Sequence, residues 1–290
     1  MMGFLVSQLA NGVTNGAAYA LLAGGLTLIF GVLGIVNFAH GEFYMLGAYA
    51  MYLCYAVLGL DYAVAAVVAV LAMAVVGVVF YAVVLRRLLP AGWQPQIVAT
   101  IAVSLLLINL VTIQTDALPK FVPSPLTNIG LSIGGARFSL QRVLVLACAL
   151  LAFLGLYVML RRTKPGKAMR ALSQNPEMCK VVGIPEHRIG MLAVVLGIML
   201  TGVASVTIAP LALITPSMGA FPTLKAFAAV VMGGFGYVGG AIASGFILGI
   251  AEALAVGYVS SQYGPAFLFG IMILVLLIRP HGLFGRGSRI

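Results

Sequence analysis

The chain has 290 residues, of which 62% are hydrophobic and 8% charged, with a mean hydropathy of +1.15 and a net charge of +10. Soluble globular domains carry roughly 25% charged residues, so water is excluded as the main solvent. The basic balance invites nucleic acid as a partner, but its placement along the chain assigns it to membrane topology, as shown below.

A helix needs about 20 mostly apolar residues to cross hydrocarbon. Stretches free of Asp, Glu, Lys and Arg run over 1–41, 43–60, 62–85, 88–115, 143–160, 189–224, 226–251 and 253–278. They predict an all-α membrane protein, a polytopic bundle of about eight or nine spans, some of them broken or re-entrant. Outer-membrane strands alternate apolar and polar positions, whereas Val143 to Leu160 is apolar on every face, which removes a β-barrel.

In chain order, Met1 to Phe30 lacks a basic leader, its first charge being Glu42, and is read as a permanent span. Asn37 to Glu42 (NFAHGE) follows as a polar island between apolar runs. Ionisable groups in apolar territory are costly, so Asn37, His40 and Glu42 are candidate pathway residues on a helix break, with an interfacial loop or inter-helix hydrogen bonding as the alternative. Arg86 and Arg87 mark a short basic loop. The tract Asp116 to Gln141 carries Pro119, Pro123 and Pro125, and its Gly134-Gly135 predicts a small hairpin.

A second short basic segment holds Arg161, Arg162, Lys164, Lys167, Arg170, Lys180 and Arg188 against only Glu177 and Glu186, and the tail carries Arg279, Arg286 and Arg289. Short Lys/Arg-rich loops stay in the cytoplasm. That rule puts all three basic segments and the C-terminus inside, and tract 116–141 and the N-terminus outside. Within the segment, a helix is expected from about Lys167 to Leu172. A second follows, with Asn175 as N-cap, Pro176 at its first position and Gly183 as its stop.

The run 189–224 is too long for one span and is interrupted by Pro210, Pro216, Gly219 and Pro222. A return toward the inside between about Leu213 and Gly234 is expected as a discontinuous helix, so Pro216 and Gly219 join the candidate pathway. Gly233 to Gly240 predict a turn with close packing, and Gly12-xxx-Gly16 and Gly245-xxx-Gly249 predict packing faces. The GxGxxG spacing of Gly234, Gly236 and Gly239 lacks the soluble βαβ unit that a dinucleotide fingerprint requires. Glu252, near the outer end of its span by parity, is read as interfacial in preference to a pathway carboxylate.

No catalytic constellation emerges. Asp61 and Asp116 look like loop residues, and His40, His187 and His281 lack metal spacing. Cys54 and Cys148 fall in spans and Cys179 in the basic segment, as small core residues. Gly166-Lys167 is no Walker A motif, because Arg161 stands where glycine is required and Ala168 follows the lysine.

Four ordered blocks carry a resemblance: GLTLIFGVLGIVNFAHGEFYMLGAY (Gly25 to Tyr49), GKAMRALSQNPEMCKVVGI (Gly166 to Ile184), AFAAVVMGGFGYVGGAIASGFILGIAE (Ala226 to Glu252) and IRPHGLFG (Ile278 to Gly285). Together they resemble the LivH-type permeases of branched-chain amino-acid ABC transporters, nearly end to end. The resemblance implies an inner-membrane permease for leucine, isoleucine and valine, with urea, short amides or other amino acids as the solutes of related systems. It further implies a homologous LivM-like permease, two cytoplasmic ABC ATPases that bind ATP and Mg²⁺, and a periplasmic binding protein. This chain would hold no cofactor itself and would not be an enzyme. The family's ATPase contact maps onto Ala171, Ser173, Asn175, Pro176, Glu177 and Gly183. From the residues alone, a lone ion-coupled transporter with Glu42 or Glu252 as carrier is the competing reading.

Overall fold

The computed structural model describes residues 2–133 and 136–285. Among them lie twelve α-helices and one β-hairpin. The chain begins with α1 (Met2–Leu33), α2 (His40–Tyr52), α3 (Tyr62–Phe80), α4 (Arg86–Leu88) and α5 (Trp93–Thr115). Strands β1 (Gly130–Ile133) and β2 (Ala136–Ser139) come next, paired antiparallel with Gly130 opposite Ser139. They confirm the hairpin, although its Gly134-Gly135 turn lies outside the described residues, as do Arg286 and Arg289 of the tail. Then come α6 (Leu140–Arg162), α7 (Lys164–Gln174), α8 (Pro176–Val181), α9 (Glu186–Ile208), α10 (Ala220–Gly233), α11 (Val238–Tyr258) and α12 (Gly264–Ile278).

Six of the described helical segments are long and apolar enough to cross a membrane: Gly3–Leu33, Tyr62–Leu88, Trp93–Thr115, Leu140–Arg162, Glu186–Leu211 and Val238–Tyr258. Shorter apolar helices, α10 and α12, accompany them, and α2 is prolonged by a π-helical turn over Leu53–Val57. The polytopic helical class is therefore as expected, with length divided unevenly among the helices.

Burial runs opposite to that of a water-soluble protein. Val67, Leu71 and Val75 on α3, Leu105, Leu106 and Ile113 on α5, and Leu150, Leu151 and Leu154 on α6 all point outward. Such a surface suits hydrocarbon. Lipid offers no hydrophobic drive for helix association, so close packing of small residues must supply the contact energy. The centre of the bundle meets that requirement. α1 packs against α9 and α11, with Gly12 and Gly16 facing Gly245 and Gly249. A Cβ on Gly12 would stand 2.7 Å from Ile250 Cα, and one on Gly245 would stand 2.6 Å from Ala20 Cα, so only glycine permits this approach.

α1 and α9 are antiparallel. The end of α1 lies beside the start of α9, where Leu33 covers Gly190, and their middles touch at Gly25 and Gly197. Each is followed by a break, a half-length helix and a long helix. α1 leads to α2 and α3, and α9 leads to α10 and α11. The packing matches across the pair, because α2 and α3 lie on α9 whereas α10 and α11 lie on α1. The two sequences of elements run in opposite directions, an inverted repeat of the kind found in transport proteins.

Two ends of the bundle can be told apart. At the hairpin end, Lys120 and Ile214 exchange backbone bonds of 2.9 Å. There the fully buried Gln141 accepts from Ser124 Oγ at 3.0 Å and donates to Tyr62 Oη at 2.9 Å and Thr207 O at 2.7 Å. That amide joins α3, α6, α9 and the loop before the hairpin. At the basic end, Met232 O accepts from Leu283 N at 2.7 Å, closing the turn after α12 onto α10.

Candidate functional site

The polar island is not an interfacial loop but a buried break whose His40 and Glu42 side chains hydrogen-bond to other helices, the other alternative to a pathway role. After α1 ends, residues 34–39 turn back along the bundle, and α2 starts deep inside it at His40. His40 Nε2 lies 3.1 Å from Leu22 O and 2.9 Å from Thr201 Oγ1. A carbonyl oxygen only accepts, so Nε2 carries the proton and Nδ1 is left as a bare acceptor. Leu22 is eleven residues from the end of α1, roughly 17 Å at 1.5 Å per residue. The break therefore reaches well within the bundle.

α10 begins at the same place. Gly219 precedes its first turn, and Gly41 at the start of α2 packs directly on Gly219 and Thr223. Two helix starts thus meet, then run apart: α2 toward the hairpin end beside Val122 and Ile214, α10 toward the basic end. Helix starts carry unsatisfied N–H groups and a partial positive charge. Glu42 lies in the first turn of α2, and its Oε1 accepts from Ser104 Oγ of α5 at 2.8 Å.

Asn37 and His40 are fully buried and Glu42 nearly so, yet Asn37 Nδ2, His40 Nδ1 and Glu42 Oε2 have no hydrogen-bond partner among the described residues. Three orphaned polar atoms within six residues are costly in a packed interior. The structure brings Asn37, His40, Glu42 and Gly219 to this junction. Pro216 is buried in the segment leading to it, Thr215 to Gly219. Ser104 and Thr201 belong to the same cluster and were not singled out from sequence, since hydroxyls are common on apolar helices, where they bond back to their own backbone.

Glu252, read from the sequence as interfacial, has partners that its own neighbourhood in the chain does not reveal. It is buried on α11, where Lys225 Nζ of α10 lies 2.6 Å from Oε1 and Tyr19 Oη of α1 donates to Oε2 at 2.9 Å. Lys225 Nζ also donates to Tyr19 Oη at 2.8 Å. Pairing makes the burial tolerable, because a cation and a further donor satisfy the two carboxyl oxygens. The trio ties the half-helix α10 to both α1 and α11.

At the basic end, the expected two-helix unit is present and longer than predicted. α7 starts at Lys164, not Lys167, because Thr163 caps it by accepting from Gly166 N at 3.2 Å and Pro165 is tolerated in a first turn. Asn175 caps α8 as expected, its Oδ1 accepting from Met178 N at 3.0 Å, with Pro176 following. Gly183 ends the unit with φ +76°. Met169, Leu172 and Cys179 are buried against the bundle, and Arg170 bonds back to Leu160 O. Ala171 is half-buried and Ser173 buried, whereas Asn175, Pro176, Glu177 and Gly183 are exposed. Met178, Val181 and Val182 are exposed beside them, the two valines at 80% and 74%. Between this unit and the end of α1 lies a groove of about 740 Å³, reached by Gly34, Leu89, Leu172, Ser173 and Pro176.

Residues 8–276 match the family described as branched-chain amino acid transport system / permease component. The chain belongs to that permease family. The permease is 34% identical to the high-affinity branched-chain amino acid transport system permease protein BraD of Pseudomonas aeruginosa, over 97% of this chain and 96% of that one. It is also 34% identical to the corresponding protein LivH of Escherichia coli K12, over 98% of this chain and 96% of the relative. Among solved structures, PsaBC from Streptococcus pneumoniae in complex with Fab shares the fold, with a TM-score of 0.51 at 15% identity over 97% of each chain. This is a multi-pass membrane permease, and the sequence resemblance to LivH-type proteins is correct.

Proposed function

We propose that this permease forms the translocation pathway for branched-chain amino acids in an ATP-driven importer of the inner membrane. The basic end, including Arg86, Arg87, the C-terminus and α7–α8, faces the cytoplasm, as short Lys/Arg-rich loops do. Two ABC ATPases engage that end, and ATP and Mg²⁺ are bound there and not by this chain. A homologous LivM-like permease completes the membrane unit, and a periplasmic binding protein docks over the tract 116–141.

The observation that carries this reading is the exposed apolar surface of Met178, Val181 and Val182 on a capped, firmly seated α7–α8 unit. Exposed apolar groups ringed by charge mark a protein contact. α8 packs on α7 and α9, and α7 packs on α1 and α9, so a push on α8 reaches both long helices. At the junction of α2 and α10, helix starts and the bare acceptors of His40 and Glu42 offer anchors for the charged termini of a small zwitterion, within otherwise apolar surroundings.

Replacing both Asn175 and Glu177 with tryptophan is the test. ATPase subunits are expected to co-purify poorly and uptake to fall by at least ten-fold, while the amount of permease in the membrane stays close to wild type, since losing the cap costs only about 1 kcal/mol. Undiminished co-purification and uptake would remove α8 from the contact.

A further inference from the structure

At the basic end, a crevice of about 410 Å³ lies between the end of α6, α7 and the start of α11. Its size falls in the range of roughly 300–1,000 Å³ usual for small-molecule sites. Most of its lining is apolar or aromatic, including Phe153, Leu156, Tyr157 and Ile242. The charged side chains that reach it are Arg161 and Arg170, and no carboxylate lines it.

Its depth in the bilayer follows from α6. At 23 residues and about 1.5 Å per residue, this helix slightly exceeds a hydrocarbon core of about 30 Å, so its last turn, with Arg161 and Arg162, stands at the level of the headgroups. Phe153, Tyr157 and Arg161 recur every fourth residue and so form one row along α6, rising from hydrocarbon to headgroup. One turn deeper, Leu150 is exposed on the lipid-facing surface. α7 brings Arg170 to the upper end of that row, where it donates to Leu160 O. Its remaining donors, and all those of Arg161, have no acceptor or ion-pair partner among the described residues.

Two guanidinium groups with free donors and no acid between them call for an anion with several acceptor oxygens, which a phosphate supplies. The apolar lining beneath them calls for hydrocarbon attached to that anion. An acidic protein segment offers the charge, but only a lipid also extends down the outer face of α6. Basic pockets between membrane helices hold anionic headgroups in this way.

We propose that this crevice binds an anionic phospholipid of the leaflet at the basic end, with its phosphate between Arg161 and Arg170 and an acyl chain along Tyr157, Phe153 and Leu150. Seated there, the lipid bridges α6 and α7.

The experiment is native mass spectrometry of the complete transporter, titrated in detergent with phosphatidylglycerol or with phosphatidylethanolamine of the same acyl chains. The wild type is expected to bind phosphatidylglycerol about ten-fold more tightly, because the ammonium of the zwitterionic lipid opposes the two arginines. That comparison needs no variant to fold. In Arg161→Gln, an exposed position, the advantage is expected to fall about five-fold. Arg87→Gln, exposed at the same end but outside the crevice, is expected to keep it. Equal binding of the two lipids by the wild type would overturn the proposal, as it would if a partner protein filled the crevice. So would an unchanged advantage in Arg161→Gln, which places the lipid elsewhere, or an equal fall in both variants, which reads only the general positive field of this end.

Discussion

Lys225→Met is expected to be among the most damaging single substitutions in this permease, and a second substitution, Glu252→Leu, is expected to relieve most of the damage. The single change leaves the Glu252 carboxylate buried with only Tyr19 as donor. Removing one partner of a buried ion pair costs about 3–5 kcal/mol, whereas replacing both by apolar groups is often close to neutral. Thermal unfolding of the purified protein in detergent checks this, with a marked loss in Lys225→Met and recovery in the double variant. Uptake should separate from stability. The double variant folds but lacks the tie between α10, α1 and α11, so its transport remains low. Full uptake in the double variant would mean that the trio only supports the fold.

Gly41→Ala carries the other large effect. The added methyl would collide with the Gly219 carbonyl and Thr223, and because two helix starts meet there the strain falls on backbone from both sides. Overpacking a tight core costs about 1–3 kcal/mol, and although the Thr223 hydroxyl can rotate away, the Gly219 carbonyl is backbone and cannot. At least a ten-fold loss of uptake is expected. Gly155→Ala makes the contrast, since nothing stands within 4 Å of its Cβ position on α6. It should leave uptake unchanged and stabilise the helix by up to about 1 kcal/mol. If the two variants transport equally well, the junction of α2 and α10 does not govern passage.

Much of the framework could be read from the residues because it depends on local composition. Apolar stretches of spanning length marked the helices, Pro210, Pro216 and Gly219 marked the break before α10, and the Asn175-Pro176 pair located α8 to the residue. Gly12, Gly16, Gly245 and Gly249 announced a close packing face, though not that the two pairs face each other. What stayed hidden was pairing over distance. Tyr19 and Glu252 are 233 positions apart, and their bond cannot be inferred from either neighbourhood. In the sequence Lys225 merely divides two apolar runs, so nothing beside Glu252 points to it as the partner. The island from Asn37 to Glu42 was visible as polar, but its depth depends on residues 34–39 doubling back, and that follows from packing on α9 and α10.

Uptake into liposomes tests the central claim most directly. With the homologous permease, two ATPases, binding protein and ATP all present, this chain is expected to concentrate labelled leucine. The chain alone under a proton or sodium gradient is expected to move none. Gradient-driven leucine uptake by the lone chain, without ATP, would contradict the account.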